Sequence, residues 1–248
     1  MQHEELNLIL HFLFMTLPFF YSEAIKEAQN ILLLDEENSK HAIQVLRMQE
    51  GEQLNLTDGK GNFAMAEIIE PHKKKCTVKI ISFEHRSTSK QQVTIAISLV
   101  KNSSRFEWFL EKATEIGVDS IVPLICERTE KQHFRFDRMQ HIMISAMLQS
   151  QQCWLPALQL PVKFEKAIQA STQQQKFIAH CADAEKRSLP DLNNRSLNST
   201  IILIGPEGDF TKAEIDIALS NHYNAVALGE TRLRTETAGI VAATLLLQ

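Results

Sequence analysis

"TIILIGPEGDFTKAEI", Thr200 to Ile215, reads as a buried strand, a glycine turn and a helix in immediate succession. Ile201–Ile204 is apolar without alternation, as a strand covered on both faces should be. Gly205 and Gly208 free the backbone to approach a ligand closely or to take a positive φ, and Pro206 stiffens the turn between them. Thr211-x-x-Glu214 is a capping box, so the helix has a defined start. Strand, turn and helix in that order are the unit of a parallel α/β sheet, and such sheets bind ligands at the carboxyl ends of their strands. The Gly-Lys-Ser/Thr of a P-loop is missing, which counts against a nucleoside triphosphate.

Toward the C-terminus, "ALGETRLRTETAG", Ala227 to Gly239, repeats the device. A strand ends at Gly229, a charged turn follows, and a helix begins near Thr235, a candidate cap. Glu236 sits where a helix N-terminus favours negative charge. From Ala238 onward the helix has no polar face, so it is expected to be buried all round, partly against a second chain. Two glycine-bearing turns after neighbouring strands can wall a pocket for a flat polar ligand. Arg234 would lie beside it; a structural ion pair with Glu236 is its alternative use.

Toward the N-terminus the strand–helix alternation continues. "VTIAISLV", "SIVPLI" and "KFIAHC" are further buried strands, Ser103 can cap a helix ended by Gly117, and Phe136–Gln152 reads as a long helix. Before the polar stretch Glu84–Gln92 the pattern changes: "QLNLTDGKGNFAMAEII" alternates and turns at Asp58–Gly61, a hairpin signature. The glycines there join two strands and open no helix, so they are not a dinucleotide fingerprint. The run Lys73–Lys75 reads as a solvated hairpin tip. These shifts place an extension at 1–14, a small β domain at 15–88 and an α/β domain at 92–248.

Bulk properties limit the function classes. The net charge of −4 over 248 residues gives no global attraction to nucleic acid, so an RNA site must be a local patch. The four cysteines show no CxxC spacing and read as free cytosolic thiols. No metal motif and no strand-to-helix GxGxxG is present, which counts against a metalloenzyme and a nicotinamide-dependent oxidoreductase. Leu6–Phe20 is apolar but short for a membrane span and lacks a basic start or a cleavage pattern, so residues 1–14 are expected to be dispensable.

"LIGPEGDF", "LGETRLRTETAG", "KNSSRFEWFLEKATEIGVDSIVPL" and "HAIQVLRMQEGEQLNLTDGKG" together resemble the motifs of the ribosomal RNA small-subunit methyltransferase E family, of the SPOUT class. The resemblance implies a PUA-like β-barrel followed by a trefoil-knotted α/β domain acting as a cytoplasmic homodimer. It implies methylation of uridine N3 in 16S rRNA of the small ribosomal subunit, with S-adenosylmethionine as donor and no metal or membrane. Residue by residue, the family's cofactor loops fall on Leu203, Ile204, Gly205, Pro206, Glu207 and Gly208. The second loop falls on Leu228, Gly229, Leu233, Thr235, Glu236, Thr237 and Ala238. Arg234 is the candidate catalytic residue, through charge stabilisation. His41, Arg47, Lys101, Arg105 and Arg128 are the candidate RNA contacts. The chain departs from the family at Thr231, Leu148 and Gln152, where charged residues are usual. A catalytically silent RNA-binding protein on the same fold is the rival reading; the retained Gly205, Glu207, Gly208, Arg234 and Glu236 argue against it.

Overall fold

The computed structural model describes residues 17–88, 91–182 and 186–247. The expected extension at 1–14 lies outside them. The chain forms two compact units, one running to Thr88 with the addition of Met147–Leu155, the other made of the remaining segments.

In the first unit, strands β1 (Phe19–Tyr21), β2 (Ile31–Leu33), β3 (Gln53–Thr57), β4 (Asn62–Glu70) and β5 (Thr77–His85) make one sheet in the order β1-β3-β4-β5-β2. β3 and β4 pair antiparallel, so the expected hairpin forms. Its turn is tied by Asp58, whose Oδ1 accepts from the amides of Lys60 (2.8 Å) and Asn62 (3.3 Å). Gly59 and Gly61 take φ of +70° and +88°, which a residue with a Cβ adopts only at a cost. Alternate residues of β4, with Leu54, Leu56 and Val78, face a core that also holds Phe20 and Leu32. Lys74 pairs with Glu36 at 3.0 Å, both exposed, so the lysine run is a solvated tip. A short helix α1 (Glu36–Lys40) widens directly into a π-helical turn at His41–Val45.

The second unit is built on β6 (Gln92–Ser98), β7 (Ser120–Ile125), β8 (Ala157–Leu158), β9 (Val162–Lys163), β10 (Gln175–Ala179), β11 (Arg187–Ser188), β12 (Ser199–Ile204) and β13 (Asn224–Ala227). Their order is β11-β13-β10-β12-β6-β7-β8, with β9 also on β7, and the pairings are parallel. β6 and β12 lie at its centre, and after its first residue each is buried throughout, as their largely apolar, non-alternating sequences predict. Ala96, Leu124, Ile178 and Leu203 point to one face, where α4 (Phe164–Ala170) and α6 (Lys212–Ser220) bring Phe164 and Ile215 into the same cluster. Helix α2 (Ser103–Ile116) packs against α7 (Thr235–Leu247), which covers β6. The remaining helices are α3 (Phe136–Gln149), three residues shorter than Phe136–Gln152, and α5 (Leu189–Leu192).

One expectation is corrected by local geometry. The cap of α2 is Asn102, whose side chain accepts from the Ser104 amide, and Ser103 is already helical; Gly117 ends the helix at φ +92° as expected. Helix α7 is not buried all round within one chain. Thr235, Glu236, Gly239, Ala242, Ala243 and Leu246 form its buried face, while Ile240, Val241, Leu245 and Leu247 remain half-buried. Among the described residues no helix is long and apolar enough to cross a membrane.

Candidate active site

Every parallel strand near the centre of the second unit delivers a loop to one end of the sheet, and the loop after β12 is the hub. Glu207 Oε1 accepts from the Lys101 amide at 2.9 Å, binding the segment after β6. Arg128, after β7, donates from Nη1 to the Gly208 carbonyl at 2.7 Å. The Cys181 amide, after β10, donates to Asp209 Oδ2 at 2.8 Å. Thr235, after β13, donates its buried hydroxyl to the Gly205 carbonyl at 2.9 Å. The expected capping box closes the loop at its far end: Thr211 accepts from the Glu214 amide and Glu214 from the Thr211 amide.

These ties enclose a cleft of about 310 Å³. Ile204, Gly205, Pro206, Glu207 and Asp209 form one wall. Arg232, Leu233, Arg234, Thr235 and Ala238 form the second, and Ala179 and Cys181 the third. The volume falls at the small end of the range usual for ligand sites, roughly 300–1,000 Å³. Of the residues assigned to the cofactor from sequence, Ile204, Gly205, Pro206, Glu207, Leu233, Thr235 and Ala238 line the cleft. Leu203 is fully buried in the core behind it. Gly208, Leu228, Gly229, Glu236 and Thr237 are absent from its walls.

The glycines work differently from expectation. A Cβ on Gly205 would come within 3.1–3.2 Å of the Phe210 ring and amide, so this glycine serves close packing under the loop. Gly208 has no positive φ; the left-handed residue of the turn is Asp209, at +63°. A Cβ on Gly208 would meet the Arg128 side chain at 3.3 Å. Thr235 is the first helical residue of α7 and donates rather than caps, while the Arg234 carbonyl accepts from the Ala238 amide at 2.7 Å.

The charges also sort differently. Arg234 is exposed at the cleft and pairs with no acid among the described residues, so the alternative Arg234–Glu236 ion pair does not form. Glu236 instead faces Arg105, with Oε1 3.7 Å from Nε. Lys101 is exposed and pairs with Glu130 at 2.9 Å, which raises its pKa through the hydrogen bond and charge of that glutamate. Arg128 braces the central loop. In the first unit, His41 packs edge-on to Phe20 and Arg47 is exposed at φ +57°.

The profile of the RNA methyltransferase domain family matches residues 87–247, and that of the RNA methyltransferase PUA domain matches 34–81. A Synechocystis protein named ribosomal RNA small subunit methyltransferase E is 30% identical over 204 residues, covering 80% of this chain and 66% of its own length. One of the same name from Rickettsia conorii is 24% identical, covering 90% and 91%. The chain belongs to the ribosomal RNA small subunit methyltransferase E family. A member of that family from Neisseria gonorrhoeae, solved bound to S-adenosyl methionine, superposes with a TM-score of 0.83 at 28% identity over 92% of this chain and 95% of its own. A Porphyromonas gingivalis structure described as a probable rRNA-methyltransferase gives 0.84 at 36% identity over 92% and 95%.

Thr231 is absent from the cleft's walls, while Arg232 one place later lines them. Sequence reading missed Ala179, Cys181, Asp209 and Arg232. The signal for the first two was present, since "KFIAHC" is a buried parallel strand whose carboxyl end must open on the same side as the others.

Proposed function

We propose that the cleft binds S-adenosylmethionine and that the protein methylates N3 of a uridine in 16S rRNA of the small ribosomal subunit. The observation that carries this reading is the junction of the two glycine-bearing loops, held by the Thr235–Gly205 hydrogen bond, in a chain of this family. The walls suit such a ligand. Ile204, Leu233 and Ala238 offer an apolar surface for a flat base, and Glu207 and Asp209 place carboxylates beside a cationic molecule. The main chain at Gly205–Glu207 and at Leu233–Thr235 would hold its polar edges. When bound, the cofactor supplies an electrophilic methyl carbon on a sulfonium that leaves as a neutral thioether.

The protein's own contribution is positioning and electrostatics. Uridine N3 attacks well only as its proton leaves, and the negative charge that grows on the uracil needs a cationic neighbour. Arg234, exposed at the cleft with no acid paired to it among the described residues, is suited to that role. The domain at 15–88, through His41 and Arg47, and Lys101, Arg105 and Arg128 of the domain at 92–248 would grip the RNA. We assign the protein to the cytoplasm and to a homodimer, whose contact would use the half-buried apolar face of α7, and the C-terminal segment to a trefoil knot.

Calorimetry with S-adenosylmethionine, paired with mass-spectrometric mapping of 16S rRNA from a deletion strain, tests the proposal. Binding together with loss of one 3-methyluridine supports it. A chain that binds RNA but not the cofactor would be a silent RNA-binding protein.

A further inference from the structure

Two carboxylates of the second unit, Glu214 and Glu236, are buried near the cleft, and they are treated very differently. Glu214 is complete: Oε1 accepts from the Glu127 amide at 2.9 Å and Oε2 from the Thr211 amide at 2.8 Å. Glu236 is 7% exposed, its Oε2 has no hydrogen-bond partner among the described residues, and its Oε1 only faces Arg105 at 3.7 Å. A buried anion is costly unless paired and hydrogen-bonded, so an incomplete one adds little stability. Unsatisfied buried groups of this kind ask for a functional explanation.

The burial of the two partners is unequal. The Glu236 side chain is 9% exposed and the Arg105 side chain 37%. The carboxylate is sealed off from an incoming nucleotide, while the guanidinium is reachable. Their roots are fixed as well. Arg105 is in the first turn of α2 and Glu236 in the first turn of α7, one residue past Thr235 in the cleft wall. The two helices meet so closely that a Cβ on Gly239 would lie 2.6 Å from the Phe109 ring.

We propose that Glu236 is a positioning residue that aims the Arg105 guanidinium at the target uracil, and that Arg105 touches the nucleotide during methyl transfer. The proposal rests on the methyltransferase reading above. As N3 loses its proton to solvent, the N–H electron pair stays on nitrogen and becomes the new N–C bond, while the C–S pair departs with sulfur. The charge that develops meanwhile spreads onto the flanking carbonyl oxygens. A guanidinium that stays protonated and forks onto such an oxygen stabilises it without giving up a proton. Glu236 keeps that fork from swinging into solvent.

The test is single-turnover methylation at saturating RNA and cofactor for Arg105→Ala, Arg105→Lys, Glu236→Gln and the double variant Arg105→Ala/Glu236→Gln. Calorimetric S-adenosylmethionine affinity and a melting curve are measured beside it. Arg105→Ala should slow the step on the order of 100-fold. Arg105→Lys, which keeps the charge and loses the fork, should fall short of wild type. Glu236→Gln should cost between about 10- and 100-fold through misplacement alone. The double variant should be no slower than Arg105→Ala, because both changes remove one device. Cofactor affinity should be unchanged, and the melting temperature of Glu236→Gln should hold or rise, since an incompletely paired buried charge is gone. A wild-type rate for Glu236→Gln would overturn the proposal, as would losses that multiply in the double variant. So would weakened cofactor binding with the rate restored at saturation, which would make Glu236 a cofactor ligand. A wild-type protein that binds no cofactor would instead sink the methyltransferase reading itself.

Discussion

Arg234 and His180 show how single side chains here divide between chemistry and stability. Arg234 is exposed at the cleft and holds no acid, so Arg234→Ala removes no ion pair among the described residues. Its melting curve should match wild type, while single-turnover methylation should fall on the order of 100-fold if the guanidinium stabilises charge in the transition state. A wild-type rate would end that role; a rate restored by excess RNA would make Arg234 an RNA contact. His180, after β10, is buried, and neither ring nitrogen has a hydrogen-bond partner among the described residues. Burial, aided by the charge of Lys186 and opposed by that of Asp209, holds its pKa below the ordinary 6.5. Below that value the unfolded chain takes up a proton that the native chain refuses, so stability should decline as pH falls from about 6.5 toward the native value. His180→Phe should remove this part of the decline in denaturant titrations at pH 5 and pH 7.5. Equal pH sensitivity in both proteins would place the decline elsewhere.

At the scale of elements, the packing of α7 on α2 invites a direct test through Gly239. Alanine is favoured over glycine within a helix by roughly 1 kcal/mol. Here the new Cβ would stand 2.6 Å and 2.9 Å from the Phe109 ring and 2.8 Å from Ile97. Overpacking of that kind costs about 1–3 kcal/mol, so the clash should win and Gly239→Ala should lower stability in urea unfolding. A stabilised variant would mean that Phe109 swings aside freely. The elements themselves were legible in the sequence, because strands sealed on both faces must be largely apolar without alternation, as Ile201–Ile204 and Ile95–Ile97 are. Their termini were less so. Asn102, Ser103 and Ser104 can all cap, and only the backbone decides that Asn102 does. The π-helical turn at His41–Val45 leaves no periodic trace in so short a stretch. In the candidate site the two glycine turns announced themselves, while the ties between them did not. Thr235 finds Gly205 thirty residues away and Glu207 finds Lys101 across 106, separations that no local pattern encodes.

For the molecule as a whole, the half-buried apolar face of α7 predicts association. Val241 and Leu245 lie one turn apart on that face. Sedimentation should give a dimer at micromolar concentration, and Leu245→Glu should yield a folded monomer. A wild-type monomer with an intact melting transition would refute the dimer. The sheet order has a different consequence, one of timing. β6 pairs with β12, Gln92 opposite Ser199, and β12 separates it from β10. During synthesis β6 is complete long before its partner exists, and one flank of an apolar strand waits for more than a hundred residues to be translated. Long-range parallel pairing of this kind folds slowly and leaves sticky edges exposed in the meantime. The nascent chain should therefore need the help of a chaperone up to the moment β12 emerges, and stalled chains ending before Ser199 should aggregate where the full chain does not.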